Sequence, residues 1–162
     1  MLKNQVEHTR KQLTLCIIHT SGQVLLGMKK KGFGEWKWNG FGGKVEQQEA
    51  IEDAARRELF EEAGIQAHEI EKAGILHFEF QGDPIILEVH IFRSEDFAGE
   101  LSESDEMRPQ WFPVEHIPFD AMWPDDKYWF PLLLEKKKFK GSFLFNNESA
   151  IMEHRLEEVH DL

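Results

Sequence analysis

Glu58, Glu61 and Glu62 stand at spacing i, i+3, i+4, which gathers three carboxylates on one face of a helix. The pattern predicts a helix from about Glu49 to about Glu62, stopped by Gly64. Ile51, Ala54 and Ala55 form its apolar stripe. At 100° per residue the glutamates fall on the same side as that stripe, pointing toward the protein body. Negative charge at a helix C-terminus opposes the helix dipole. Crowded hard oxygens in that position suit Mg²⁺, with Mn²⁺ as a substitute, and such ions also bridge to phosphate groups. The chemistry implied is attack of water on a phosphorus, with a metal offsetting the charge.

A plain solvated acidic face explains the glutamates poorly, because Glu52, Asp53, Arg56 and Arg57 already fill the outer face. Phe60 also falls there, and nothing in the sequence accounts for it. Arg57 is expected to pair with Glu49, about two turns away, and to hold one catalytic carboxylate in orientation. Ahead of the helix, Gly42-Gly43 is expected to make a tight turn that brings backbone close to a ligand. Free amides at the helix start would then favour anions.

These residues need a scaffold. The chain has 162 residues, enough for one core, with residues 1–12 read as a loose polar arm and 13–162 as a single domain. Leu13 to His19 reads as a central strand, and Val24 to Lys29 pairs back across Ser21-Gly22. Lys30 to Trp38 is a loop. Gly74 to Gln81 and Ile85 to Arg93 are strands around a Gly82-Asp83 turn, and Trp111 to Val114 is a short strand. Asp125 or Asp126 caps a helix to about Lys137, with Pro131 near its first turn. Phe139 to Phe145 and Ile151 to Val159 close the set. The sum is an α/β fold, a mixed sheet flanked by two main helices in an α/β/α sandwich.

The net charge of −11 argues against wrapping a nucleic-acid polymer. No segment reads as a membrane span or secretory signal. The single cysteine, Cys16, lies in an apolar run and reads as a buried thiol, so a reducing compartment is expected. The expectation is a cytoplasmic monomer, with the mitochondrion or nucleus as further places.

From Gly43 to Ile65 the chain fits Gly, five residues, Glu, seven residues, Arg-Glu, aliphatic, any, Glu-Glu, any, Gly, aliphatic. Gly43, Glu49, Arg57, Glu58, Leu59, Glu61, Glu62, Gly64 and Ile65 fill the specified positions. This run is identified as a Nudix box, the mark of the Nudix hydrolases. The segments LLGMKKKGFG (25–34), WNGFGGKV (38–45), HFEF (77–80), ESDEMRP (103–109) and WPDDKYWFPLLLEKKKF (123–139) resemble its MutT-like branch from about Leu13 onward. That branch hydrolyses oxidised purine (deoxy)nucleoside triphosphates, such as 8-oxo-dGTP and 2-hydroxy-dATP, to the monophosphate and pyrophosphate.

Carried over by position, the resemblance implies that Glu58, Glu61 and Glu62 hold the metal with the Gly42 carbonyl. Glu106 resembles a further carboxylate, either a ligand or the group that activates water, and Glu61, Glu62 and Glu106 all stand as candidates for the base. Lys29 and Lys44 resemble phosphate-side or sugar-side contacts, with Gly43 beside them and Thr14 on the sugar side. Asn39, Asp125 and Asp126 resemble the residues that hydrogen-bond the purine. Trp123 resembles the stacking partner, walled by Phe33, Phe78, Phe80, Met107 and Trp129.

The same residues make physical sense without the resemblance. Trp123 offers a flat π surface, and Asn39 both donates and accepts. Adjacent acids among aromatics push one another's pKa upward, so one protonated and one ionised Asp would donate and accept together. Exchanging the proton between them would admit both oxidised guanine and oxidised adenine. Plainer readings stand beside these: Pro124-Asp125-Asp126 as a helix cap, Trp123 and Trp129 as core, Phe78 and Phe80 as ordinary strand alternation, His77 and His90 as structural. A different diphosphate-linked substrate (diadenosine polyphosphate, ADP-ribose or capped RNA) and an inactive nucleotide-binding module are the rival functions. Leu87, where vertebrate members of the branch carry methionine, and the bulky Gly34-Glu35-Trp36-Lys37 loop are departures that bear on purine preference.

Overall fold

The computed structural model describes residues 9–162. Its elements run β1 (Thr9–His19), β2 (Gln23–Lys29), β3 (Trp38–Asn39), α1 (Ile51–Ala63), β4 (Gln66–Phe80), β5 (Ile85–Ala98), β6 (Met107–Pro113), α2 (Asp126–Leu134), β7 (Lys138–Asn147) and β8 (Ala150–Val159). Two short 3-10 turns, Val114–His116 and Phe119–Ala121, lie between β6 and α2.

All strands join one mixed sheet in the order β3-β2-β1-β5-β4-β7-β8, with β6 on the other edge of β2. The β1/β5 and β4/β7 pairs are parallel, and the others are antiparallel. Successive side chains on β1 point to opposite faces. Ile17, with Leu13 and Leu15 beside it, joins Trp129, Phe130 and Leu133 of α2 in one apolar cluster. Cys16 and Ile18 join Ala55, Leu59 and Ala63 of α1 in the other. Two helices on opposite faces of one sheet give the α/β/α sandwich. Alanines at 54, 55 and 63 let α1 sit close, and Leu59 is fully buried. Truncating Leu59 to Ala would cost about 2–5 kcal/mol and loosen the helix that carries the glutamates.

A split in the sheet makes room for a site. β1 and β2 pair only at Ile18–Leu25 and His19–Val24, then diverge. Into the gap runs a strap of residues 40–45. Phe41 bridges Cys16, Lys44 bridges Leu13, and the Thr14 amide donates to the Gly43 carbonyl at 2.9 Å.

Several boundaries differ from the sequence expectation. α1 begins at Ile51, after the Glu49 that was expected to open it, and ends on Gly64 with φ 76°. β1 takes in Thr9–Gln12, expected as the end of the arm, while residues 1–8 of that arm lie outside the described residues. β4 starts at Gln66 and not Gly74, because register shifts at Ala67/Glu69, Glu69/Glu71 and Lys72/Gly74 scramble the alternation that would have revealed it. β5 continues to Ala98, past Arg93, beside that hidden half. β6 opens at Met107 rather than Trp111. α2 stops at Leu134, short of Lys137, and Pro131 sits well inside it, beyond the first turn.

Candidate functional site

The split opens onto a cavity of about 790 Å³. Thr14, Lys29, Phe33, Asn39, Gly42, Gly43, Lys44, Glu62, Phe78, Phe80, Met107, Trp123, Asp125 and Asp126 line it, together with Leu87. Most of the residues singled out in the sequence therefore meet in one place.

One wall is aromatic. The ring of Trp123 lies 5.0 Å from that of Phe33, 5.9 Å from Phe145 and 6.1 Å from Phe80. The Lys37 ammonium stands 5.7 Å over Trp123, so the bulky loop reaches that ring directly, while Trp36 faces solvent at φ 66°. Phe33 is a wall at the mouth and stays largely exposed.

Beside that wall lie two buried acids. Asp125 and Asp126 are 3% and 2% exposed. Burial raises both, Asp125 to about 6, and Asp126 well above its usual range with the Asp125 charge adding to the effect. Asp125 holds the helix-cap position, yet its side chain makes no cap hydrogen bond. It accepts the Trp129 indole N–H at 2.8 Å instead. This corrects the expectation that Trp129 is a pocket wall: it is fully buried behind Asp125, stacked on Phe130 and Phe139. Asn39 turns its carbonyl oxygen to the Gly40 amide at 2.9 Å. The Thr14 hydroxyl and Asp126 Oδ2 are buried without a partner, and both residues line this cavity. Unsatisfied buried polar atoms cost about 1–3 kcal/mol each, a cost that a polar ligand removes.

Of the four glutamates singled out in the sequence, Glu62 lines the cavity, whereas Glu58, Glu61 and Glu106 do not. Glu62 is 4% exposed and accepts the Gly42 amide at 2.8 Å. Burial pushes its carboxyl up to about 8, and the Glu58 charge adds to this. Burial raises Glu58 as well, against the pull of Arg57. Glu61 departs from the inward reading, with a side chain 56% exposed. Arg57 grips Glu49 through Nε at 2.8 Å and Nη2 at 2.9 Å, as expected. Those bonds pull Glu49 down to about 2. Arg57 Nη1 also reaches Glu58 at 2.9 Å and Glu61 at 3.3 Å. Glu106 faces Lys29 Nζ at 3.8 Å.

The glycines act differently from the expected turn. Neither adopts positive φ, and the strap runs extended beside β1. A Cβ on Gly42 would lie 1.8 Å from the Thr14 carbonyl oxygen, and one on Gly43 would lie 2.6 Å from the Glu58 carboxyl. Their role is close approach. The start of α1 is not an anion site either, since Glu52 and Asp53 occupy its first turn.

Among the described residues no group of three acidic, His or Cys side chains is drawn tightly enough to hold an ion as it stands. Arg57 takes Glu58 and Glu61, and Gly42 takes Glu62. The donor set nonetheless fits a hard divalent cation: carboxylates only, one of them deeply buried and held up in pKa by its surroundings.

Strand alternation marks cavity residues that the sequence reading passed over. Leu13 and Leu15 of β1 and Val89 of β5 line the cavity, as does Phe145 at the end of β7. The period of two that points Leu87 inward points Val89 inward too.

Comparison with known proteins agrees with this geometry. The NUDIX domain profile matches residues 8–133. The chain is 56% identical over 154 residues to an oxidized purine nucleoside triphosphate hydrolase of Danio rerio, covering 95% of this chain and 99% of that one. It is 52% identical over 151 residues to the Mus musculus protein of the same name, covering 93% and 97%. Among solved structures, a MutT protein from Bacillus halodurans superposes with TM-score 0.81 at 27% identity, covering 91% of this chain and 97% of that one.

Proposed function

The chain belongs to the NUDIX family, and from that premise we propose that it hydrolyses oxidised purine (deoxy)nucleoside triphosphates, such as 8-oxo-dGTP and 2-hydroxy-dATP, to the monophosphate and pyrophosphate. Such an activity removes mutagenic precursors from the nucleotide pool. The observation that carries this reading is one cavity lined by two residues with unpaired buried polar atoms, Thr14 Oγ1 and Asp126 Oδ2, together with the aromatic Trp123 and the buried Glu62 carboxyl. The two relatives above half identity across nearly the whole chain both carry the oxidised-purine name, which disfavours another diphosphate-linked substrate or an inactive module.

In this reading Trp123 stacks on the base, with Phe33, Phe78, Phe80 and Met107 closing around it. Asn39 and the Asp125–Asp126 pair hydrogen-bond its edge. The pair shares a proton, because two adjacent buried carboxylates resist ionising together. Thr14 takes a sugar or phosphate oxygen, and Lys29 and Lys44 hold the triphosphate. Glu58, Glu61, Glu62 and Glu106, with the Gly42 carbonyl, are the group that would hold Mg²⁺. A divalent ion held there would neutralise phosphate charge and stabilise the leaving oxygen. Glu62 is the deeply seated carboxylate, so Glu61 or Glu106, both open to water, accepts the proton of the attacking water. Arg57 keeps Glu58 and Glu61 in place. One chain supplies every part, so we propose that a monomer acts on its own, in the cytoplasm. No helix among the described residues is long and apolar enough to cross a membrane.

The test is incubation of purified protein with 8-oxo-dGTP and Mg²⁺, with the products separated. Monophosphate and pyrophosphate in equal amounts support the reading. Diphosphate and orthophosphate, or no turnover, refute it.

A further inference from the structure

Asp125 stands where an aspartate ordinarily bends back onto its own helix amides, and it does not. Trp129, one turn along α2, donates its indole N–H to Asp125 Oδ2 at 2.8 Å. Trp129 is fully buried, with ring centroids 4.6 Å from Phe130 and 5.7 Å from Phe139, so the indole is held in place. Asp126, equally buried, has no partner for Oδ2. An indole N–H donates and cannot accept. It therefore keeps Asp125 Oδ2 an acceptor and offers nothing to Asp126.

We infer that Trp129 is a positioning residue that sets where the shared proton rests, leaving Asp125 as the acceptor and Asp126 as the donor toward the base. The inference builds on the reading that this pair holds the purine edge. A purine that turns N–H groups to Asp125 and an oxygen to Asp126 fits that arrangement directly. A purine with the reverse order must move the proton against the indole bond. Trp129 thereby biases the pocket between two base edges while touching neither. Burial raises both acids, and the indole bond opposes the rise at Asp125 alone.

Trp129→Phe removes the N–H and keeps a ring. The ratio of kcat/KM for 8-oxo-dGTP to that for 2-hydroxy-dATP should fall by about tenfold, the scale of a hydrogen bond to a charged group. The pH at which this ratio turns should rise by about one unit, because Asp125 loses a bond to its charged form. The other charged groups lining the cavity, Lys11, Lys29, Lys44, Glu62 and Asp83, meet both substrates and cancel in the ratio. A folded Trp129→Phe protein with the wild-type ratio and profile overturns the inference. Phe139→Leu loosens the same stack without removing the N–H and should keep the ratio; an equal change there assigns the effect to packing and also overturns it. Asp125→Asn separates the two layers: if it too leaves the ratio untouched, the base-pocket reading itself fails. Should Trp129→Phe not fold, the wild-type Trp129 indole resonance answers in its place. Movement with pH at the midpoint of the ratio supports the inference, and a resonance that stays still overturns it.

Discussion

The Glu62 carboxylate accepts the Gly42 amide at 2.8 Å, a single hydrogen bond that ties the last turn of α1 to the strap across the split sheet. Gly42 allows this because nothing larger fits: a Cβ would lie 1.8 Å from the Thr14 carbonyl oxygen. Gly42→Ala must push β1 and the strap apart. It should destabilise by about 3 kcal/mol, at the upper end for overpacking, and abolish turnover. Thermal unfolding and activity check it together. Gly43→Ala meets the Glu58 carboxyl instead, at 2.6 Å. That side chain moves more easily than backbone, so stability should hold better while kcat falls.

Arg57 binds Glu49 with two nitrogens and Glu58 and Glu61 with a third. Its planar fork cannot be copied by an ammonium. Arg57→Lys should keep the fold and cut kcat by about 10²-fold, the scale of misplaced reacting groups. An unchanged kcat would assign Arg57 a surface ion pair only.

Much of this machinery was legible in the residues themselves. The Glu49–Arg57 pair, the helix stop at Gly64 and the meeting of Asn39, Trp123 and the two aspartates in one cavity follow the sequence reading. The outward turn of Glu61 and several element boundaries did not, and neither did three features fixed by distant partners. Trp129 is the same residue type as Trp123, and spacing does not say that one faces a cavity and the other stacks behind an aspartate. Gly42 and Gly43 look like turn residues because the atoms that exclude a side chain there, on Thr14 and Glu58, are distant in sequence. The first half of β4 is hidden by its register shifts. Each is set by tertiary partners rather than local pattern. Phe60 remains exposed on α1, and the structure offers no reason for it.

Trp123→Ala should raise KM for 8-oxo-dGTP by about ten- to a hundredfold, since stacking of a base on an aromatic ring contributes about 1–3 kcal/mol. Turnover at saturation should change far less, because the glutamates are untouched. Steady-state kinetics on the purified variant decides; an unaltered KM places the base elsewhere.

The raised carboxyls give stability a distinctive pH dependence. Glu62 and Asp126 bind protons more readily folded than unfolded, so the folded state loses stability as pH climbs from their unfolded values through their folded ones. His19 and His90 are lowered, chiefly by burial, and act in the opposite sense, but only below their ordinary value of 6.5. Metal-free protein should therefore show a falling Tm from about pH 6.5 to 8. Glu62→Gln should remove much of that fall. Melting curves in chelator across this range check both statements, and a flat or rising Tm contradicts them.

The account turns on one cavity both selecting the oxidised base and cleaving its triphosphate. The most direct measurement is kcat/KM for 8-oxo-dGTP against dGTP, with Mg²⁺, for the wild type and Asp125→Ala side by side. The wild type should prefer 8-oxo-dGTP by at least about tenfold, a preference set where the two bases differ, at the 8-oxygen and N7–H. In Asp125→Ala kcat/KM for 8-oxo-dGTP should fall by at least about tenfold, because the purine N–H groups lose their acceptor. A wild type that treats both nucleotides alike, or a variant that keeps the full kcat/KM, would contradict this.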